Sequence, residues 1–328
     1  MKIIYEMKII YEMIGEFMIS GIINVYKERG YTSFDVVAKL RGILKTRKIG
    51  HTGTLDPDAE GVLPVCLGKA TKVCELLTDK QKEYEAVLLL GKVTDTQDIS
   101  GTVLRECEVH TTEEEVRNAI LSFVGNYMQV PPMYSALKVD GKKLCDLARA
   151  GVTVERKARQ VEIFSIDILE VCLPRVKMRV NCSKGTYIRT LCEDIGEKLG
   201  CGGCMESLLR TRVSEFKVGD SLTLGEIEKR VEKQGAGIAP EQWEASVFDF
   251  IQSVDSVFLQ YEKAVVKESQ NKVLYNGNRL APEAFVCYQE KWEQDNIRVY
   301  DEEGNFIGIY AYVKGQGDYK PVKVFMET

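Results

Sequence analysis

One segment constrains this chain more than any other: Gly50-His51-Thr52-Gly53-Thr54-Leu55-Asp56-Pro57, continuing through Gly61 and Leu63-Pro64 to Gly68-Lys69-Ala70-Thr71-Lys72. Pro57 clashes with helical backbone at the residue before it and drives Asp56 extended. Gly50, Gly53 and Gly61 allow sharp turns, or an approach of another backbone that a side chain would block. The result is a carboxylate held on a shaped loop. An isolated Asp-Pro pair more often caps a turn, so it is the glycines on both sides that single this one out.

The flanking sequence shows what such a loop is built into. Val36, Val37, Leu40, Ile43 and Leu44 recur at helical spacing behind Ser33, which is suited to N-capping, so 34–47 reads as an amphipathic helix. Tyr84, Ala86, Leu88 and Leu90 alternate as in a half-buried strand, and Thr111-Thr112 with Glu114 and Glu115 marks a capping-box start for a helix to about Val124. Val161 to Ile168 and Val176 to Cys182 alternate on either side of Pro174 and read as antiparallel neighbours. Lys184 to Arg189 turns into a helix from Thr190 to Leu199, stopped at Gly200-Cys201-Gly202-Gly203, which leaves Tyr187 and Arg189 on one face of the preceding extended segment. Residues 232–245, with Gly235, Gly237 and Pro240, read as a loose connection, followed by short strands and turns such as Asn276-Gly277 and Glu303-Gly304. These patterns predict an α+β domain on a mixed sheet, then a small all-β domain.

With 328 residues, 45% hydrophobic and 28% charged, the chain can bury a full core in one large domain and one small one. Its apolar runs, such as Ala86 to Leu90, are too short for a bilayer and no secretory leader pattern is present, so a cytoplasmic protein is expected. Ten scattered cysteines then read as reduced thiols. Cys201 and Cys204 form a lone CxxC with neither His51 nor His110 beside a second pair, so no metal site is expected; no Walker A or complete GxGxxG motif supports a nucleotide cofactor. The net charge of −5 argues against nucleic acid as a partner in bulk, yet 34–48 carries Lys39, Arg41, Lys45, Arg47 and Lys48 against Asp35, and Arg149 to Arg159 adds Arg156 and Lys157. MKIIYE is written twice at the start, and residues 1–17 are expected to lie outside the fold.

The stretch GHTGTLDPDAEGVLPVCLGKATK, residues 50–72, closely resembles the signature loop of TruB pseudouridine synthases, whose invariant aspartate falls on Asp56. Further matches follow in the family's order: KERGYTSFD from Lys27 to Asp35, Lys82-Glu83-Tyr84, Thr94-Asp95-Thr96-Gln97-Asp98 with Gly101, QVPPMYSALKVDG from Gln129 to Gly141, and CSKGTYIR from Cys182 to Arg189. The resemblance implies a pseudouridine-synthase fold over 18–255, with a central mixed, largely antiparallel sheet. It implies, more weakly, a PUA-like RNA-binding domain over 256–328, through Tyr275-Asn276-Gly277-Asn278 and Phe306-Ile307-Gly308.

The same resemblance implies the chemistry. A uridine at position 55, in the T loop of tRNA, is flipped out, its glycosidic bond is cleaved, and the base is reattached through carbon 5. Asp56 is the catalytic carboxylate, whether it attacks sugar or base or takes a proton; Arg189 pairs with it, Tyr84 stacks on the base, Tyr187 lines the pocket, His51 holds the T loop, and Lys27 belongs to a Lys-Pro motif in which Glu28 replaces proline. Cys145 replaces a frequent tyrosine. The implied enzyme is a monomer acting on the T arm and T loop of tRNA without cofactor, metal, membrane, protein partner or guide RNA. A non-catalytic RNA-binding factor and a guide-dependent relative of the dyskerin kind are the rival readings. A chain ending near Asp255 is expected to keep its pocket and bind tRNA more weakly.

Overall fold

The computed structural model describes residues 19–139 and 141–326. The duplicated leader lies outside the described residues. Strands β1 (Gly21–Lys27), β2 (Ile49–His51), β3 (Glu60–Leu67), β4 (Lys82–Leu90), β5 (Lys92–Thr94), β6 (Val103–Glu106), β7 (Gly125–Gln129), β8 (Lys138–Val139) and β9 (Lys142–Lys143) precede the long pair β10 (Arg159–Cys172) and β11 (Arg175–Cys182). Then come β12 (Gly203–Val213), β13 (Phe216–Lys217), β14 (Glu262–Val265), β15 (Asn296–Tyr300), β16 (Phe306–Val313) and β17 (Asp318–Val324). The helices are α1 (Ser33–Leu44), α2 (Cys74–Thr78), α3 (Glu113–Leu121), α4 (Leu144–Arg149), α5 (Ile188–Lys198), α6 (Leu224–Gln234) and α7 (Asn271–Tyr275).

A nine-stranded sheet runs in the order β1-β3-β12-β4-β11-β10-β7, with β2 added on β3 and β13 on β12. Only the β3–β12 pairing within it is parallel, so the expected mixed, largely antiparallel sheet is present. The alternation in β4 places Tyr84, Ala86 and Leu88 on one face with Met178 and Val180 of β11, and α3 and α5 cover it with Val116, Ile120, Leu191 and Ile195. Thr112 and Glu115 close the capping box of α3 as the sequence indicates, but the helix stops at Leu121.

Strands β1 and β3 are buried on both faces, which is why they read as nearly unbroken apolar runs. Ile23, Val25, Leu63 and Val65 face α1 and α6. Ile22, Val62 and Cys66 face the other way, against Phe216, Phe258, Ile309 and Phe325. The last two belong to the C-terminal part, whose own sheet runs β14-β15-β16-β17 around Ile297, Val299, Tyr310 and Tyr319. Lys72 closes the joint by donating to the carbonyls of Val324 at 3.0 Å and Met326 at 3.2 Å. The C-terminal β unit is therefore welded to the large sheet through a shared apolar cluster and the Lys72 hydrogen bonds.

Three local expectations are also corrected. Thr32, not Ser33, caps α1, because Asp35 reciprocates at the third helical position; the Ser33 hydroxyl instead accepts from the Leu55 amide at 3.0 Å. The helix ends at Leu44, with Lys45 left-handed at φ 52°. Residues 224–234, of which the last three were assigned to a loose connection, form α6 behind the capping box of Thr223 and Glu226.

Candidate active site

The glycine-flanked loop spans β2 and β3 and is tied down at nearly every residue. The Thr52 amide donates to the Pro64 carbonyl at 3.1 Å and the Ala59 amide to the Asp56 carbonyl at 3.1 Å. Gly61 adopts φ +105°, and a Cβ there would sit 2.3 Å from the Arg210 carbonyl oxygen, so β3 and β12 meet only because this residue has no side chain. Beneath the loop lies Lys27, fully buried, its Nζ donating to the carbonyls of Ala59 at 2.6 Å, Pro57 at 3.0 Å and Glu28 at 3.2 Å. Burial pulls its ammonium down to about 8.

Asp56, with its side chain 40% exposed, meets Arg189, whose side chain is 6% exposed. The fork is bidentate: Nε to Oδ2 at 3.0 Å and Nη2 to Oδ1 at 3.3 Å. Arg189 is aimed by the chain around it, donating from Nη1 to the Thr96 carbonyl at 3.0 Å and from Nη2 to the Tyr134 carbonyl at 2.8 Å. Asp98 Oδ2 lies 3.7 Å from Nη1. Burial raises the Asp56 carboxyl above its ordinary range; Arg189 and Lys27 oppose this, and Asp98 and Asp58 add to it.

Arg189 does not share an extended segment with Tyr187. Tyr187 is the N-cap of α5 and Arg189 falls in the first turn, because the Gln129 side chain accepts from the Tyr187 amide at 2.8 Å and donates to its carbonyl at 3.0 Å. The helix starts there, two residues before the predicted Thr190. Burial raises the Tyr187 phenol, which also feels the charges of Arg189 and Asp56.

Tyr84 is 8% exposed and sits in β4 directly across from Arg210 of β12. Burial pushes its phenol up to about 12 while Arg210 pulls it back. Arg210 is itself 1% exposed, donating from Nε to the Val62 carbonyl at 2.7 Å and from Nη2 to the Gly53 carbonyl at 3.3 Å. It thus props the loop from below and carries a positive charge under Tyr84. His51, half-buried, accepts from the Gly53 amide on Nδ1 at 3.3 Å; burial first, and then Arg210, pull its imidazole below the ordinary histidine range.

The fold therefore pairs Asp56 with Arg189, brings Tyr84 and Tyr187 within reach of the Asp56 charge, puts Lys27 under the Asp56 loop and leaves His51 at the loop's start. Sequence reasoning missed Asp98 and Arg210. The signal for Arg210 is a charged residue at an inward position, two after buried Leu208; Asp98 belongs to the Thr94–Asp98 motif, and only its approach to Arg189 brings it to the site. Among the described residues there is no cluster of three or more His, Cys, Asp or Glu able to hold a metal, and no helix long and apolar enough to cross a membrane.

Among solved structures, a Cbf5-Nop10-Gar1 complex contains a chain 28% identical, with a TM-score of 0.68, covering 96% of this chain and 87% of that one. An H/ACA ribonucleoprotein bound to a substrate RNA containing 2′-deoxyuridine contains another at 25% identity and TM-score 0.66, covering 97% and 87%. The fold is that of the pseudouridine synthases, a class of RNA isomerases. Residues 41–188 match the family model described as TruB family pseudouridylate synthase (N terminal domain), and 189–259 the tRNA pseudouridylate synthase B C-terminal domain. Proteins called tRNA pseudouridine synthase B from Lachnoclostridium phytofermentans and Alkaliphilus oremlandii are 53% and 47% identical, covering 94% and 93% of this chain and 100% and 97% of theirs. This chain belongs to the TruB family of pseudouridine synthases.

Proposed function

We propose that this enzyme isomerises the uridine at position 55 in the T loop of tRNA, as a cytoplasmic monomer, with Asp56 as the catalytic carboxylate. The observation that carries the reading is the bidentate Arg189–Asp56 pair on the glycine-shaped loop, with Tyr84 and Tyr187 beside it. In the isomerisation the C1′–N1 bond breaks and a C1′–C5 bond forms, while C5 loses a proton and N1 gains one. No redox step and no cofactor is required. Asp56 takes the carboxylate role in this exchange, Arg189 keeps it ionised and oriented, and the Tyr84 ring offers a face for the flipped pyrimidine. Flipping costs about a few kcal/mol of unstacking. Lys27, expected from the resemblance to bind substrate, has its ammonium committed to the loop carbonyls of Pro57 and Ala59 and to that of its neighbour Glu28, and we assign it to holding the Asp56 loop. The C-terminal sheet, a PUA-like domain in this reading, engages the outer part of the same RNA.

The guide-dependent reading is the weaker one: Cbf5 chains from complexes stand at 25–28% identity, whereas relatives called tRNA pseudouridine synthase B reach 53%. Incubating the purified protein with unmodified tRNA and mapping pseudouridine by derivatisation and reverse transcription tests the proposal. Modification at that one uridine, without added RNA or protein, is the expected result. Asp56→Asn should abolish it while tRNA binding stays within several-fold, because the amide keeps the shape but neither attacks nor accepts a proton. Substantial product from the variant removes the central claim.

A further inference from the structure

The turn between β5 and β6 supplies two of the groups around Arg189, the Thr96 carbonyl at 3.0 Å from Nη1 and the Asp98 carboxylate at 3.7 Å. Between them stands Gln97, in the left-handed region at φ 65°. Glycine enters that region freely and asparagine and aspartate tolerate it, but glutamine does not favour it, so its surroundings must hold it there. The backbone does part of this. The Gln97 carbonyl accepts from the Met205 amide at 3.0 Å and the Ile99 amide donates to the Met205 carbonyl at 2.9 Å, which lays the turn along β12. The carboxamide does the rest. Its Oε1 accepts from the Thr190 hydroxyl at 2.7 Å, and its Nε2 donates to the Glu193 carboxylate. Thr190 and Glu193 are three residues apart and so share a face of α5, and Thr190 directly follows Arg189.

A carboxamide ends in one acceptor and one donor group, whereas an ionised carboxylate only accepts, so the nitrogen of Gln97 faces Glu193 and its oxygen faces Thr190. We infer that Gln97 is a positioning residue: its carboxamide clasps the turn to the helix that carries Arg189, and so sets where the Thr96 carbonyl and the Asp98 carboxylate meet the guanidinium that orients Asp56. The inference rests on the role proposed above for Asp56 and extends the machinery to residues that act through Arg189. Rotation of Gln97 out of the left-handed region would move Thr96 and Asp98 relative to each other, since they are its two chain neighbours.

Exchanging the two functional groups tests the clasp. Gln97→Glu sets a second carboxylate against Glu193. Combining it with Glu193→Gln restores one amide facing one carboxylate, with the direction of the bond reversed and the net charge of wild type. Gln97→Glu is expected to lower the single-turnover rate at saturating tRNA by about 10- to 100-fold, the scale of a misplaced catalytic group, with KM changed by less than about threefold. The double variant should return to within about threefold of wild type, because the two changes repair each other. Hydrogen exchange of the amides in 94–100 should rise by about tenfold or more in Gln97→Glu and fall back in the double variant. A Gln97→Glu enzyme within about threefold of wild type, or a double variant no better than Gln97→Glu, overturns the inference. The double variant decides even where Gln97→Glu alone does not fold, since a double variant that also fails to fold contradicts the clasp. Asp56→Asn, run alongside, separates the two readings: turnover by that variant removes the role of Asp56, and the exchange rates then decide the clasp by themselves.

Discussion

Arg189 grips Asp56 with two nitrogens, Nε at 3.0 Å and Nη2 at 3.3 Å, while the same guanidinium is held by backbone carbonyls on its other side. Lysine has one ammonium and no planar fork, so it can keep the charge without keeping this geometry. Arg189→Lys is expected to lower single-turnover rate by about 10²-fold or more, in the range seen when one preorganised electrostatic partner is lost. Rapid-quench kinetics on saturating tRNA check this, and turnover within about threefold of wild type would show that the fork is dispensable.

The charges around Asp56 set an acid limit on activity. Its carboxyl lies above the ordinary aspartate range, chiefly through burial, with Asp98 and Asp58 raising it and Arg189 and Lys27 lowering it. If the ionised form is the working one, activity is full above the raised pKa and falls as pH drops through it. Asp98→Asn removes one raising charge and keeps the Oδ1 acceptor used by the Thr96 hydroxyl and the Ser100 amide. The acid limb of kcat should therefore move to lower pH. A limb that stays in place or moves up contradicts this electrostatic account.

Tyr84 separates into ring and hydroxyl. The ring belongs to the main core with Met178 and Leu208, so Tyr84→Ala is expected to cost about 3–5 kcal/mol of stability, and a loss of activity in that variant says little about catalysis. Tyr84→Phe keeps the ring. If the ring's face receives the base, Tyr84→Phe should retain turnover within about tenfold and lose about 1–2 kcal/mol of stability at the Arg210 contact. Chemical denaturation paired with kinetics tests both halves, and a stable Tyr84→Phe without turnover would shift the role from the face to the hydroxyl.

Removing 256–328 should damage the catalytic part itself. Ile22, Val62 and Phe216 would lose Phe258, Ile309 and Phe325 and face water. Burying one such side chain is worth about 1.5–3 kcal/mol, and several are lost together, so the shortened chain is expected to melt much lower or to aggregate. A folded, fully active fragment with an unchanged melting temperature would refute the welded joint.

How much of this was legible depends on range. The Asp56 loop, the alternation of β4, β10 and β11, and the Thr112–Glu115 box are local patterns with local causes, and they read correctly from the sequence. The start of α5 was misplaced because Gln129, 58 residues away, decides it through hydrogen bonds to Tyr187. Thr32 and Ser33 are both competent caps, and the choice fell to Asp35 and to the Leu55 amide that occupies Ser33. The Thr223–Glu226 box of α6 was present and overlooked beside the glycines that follow it. The inward position of Arg210 marks it as unusual but not what it holds, since its partners at Val62, Gly53 and Tyr84 all come from other strands or loops.

The double burial of β1 has a consequence in time. Ile22 is among the first described residues, and its apolar neighbours include Phe325, near the end of the chain. A ribosome delivers the N-terminal strand long before the C-terminal one, at about 5–20 residues per second, so for the intervening many seconds one face of the nascent β1–β3 pair has no cover. The growing chain presents an open apolar sheet to chaperones and to other nascent chains, and it becomes a finished enzyme only when its last strand emerges and closes over its first.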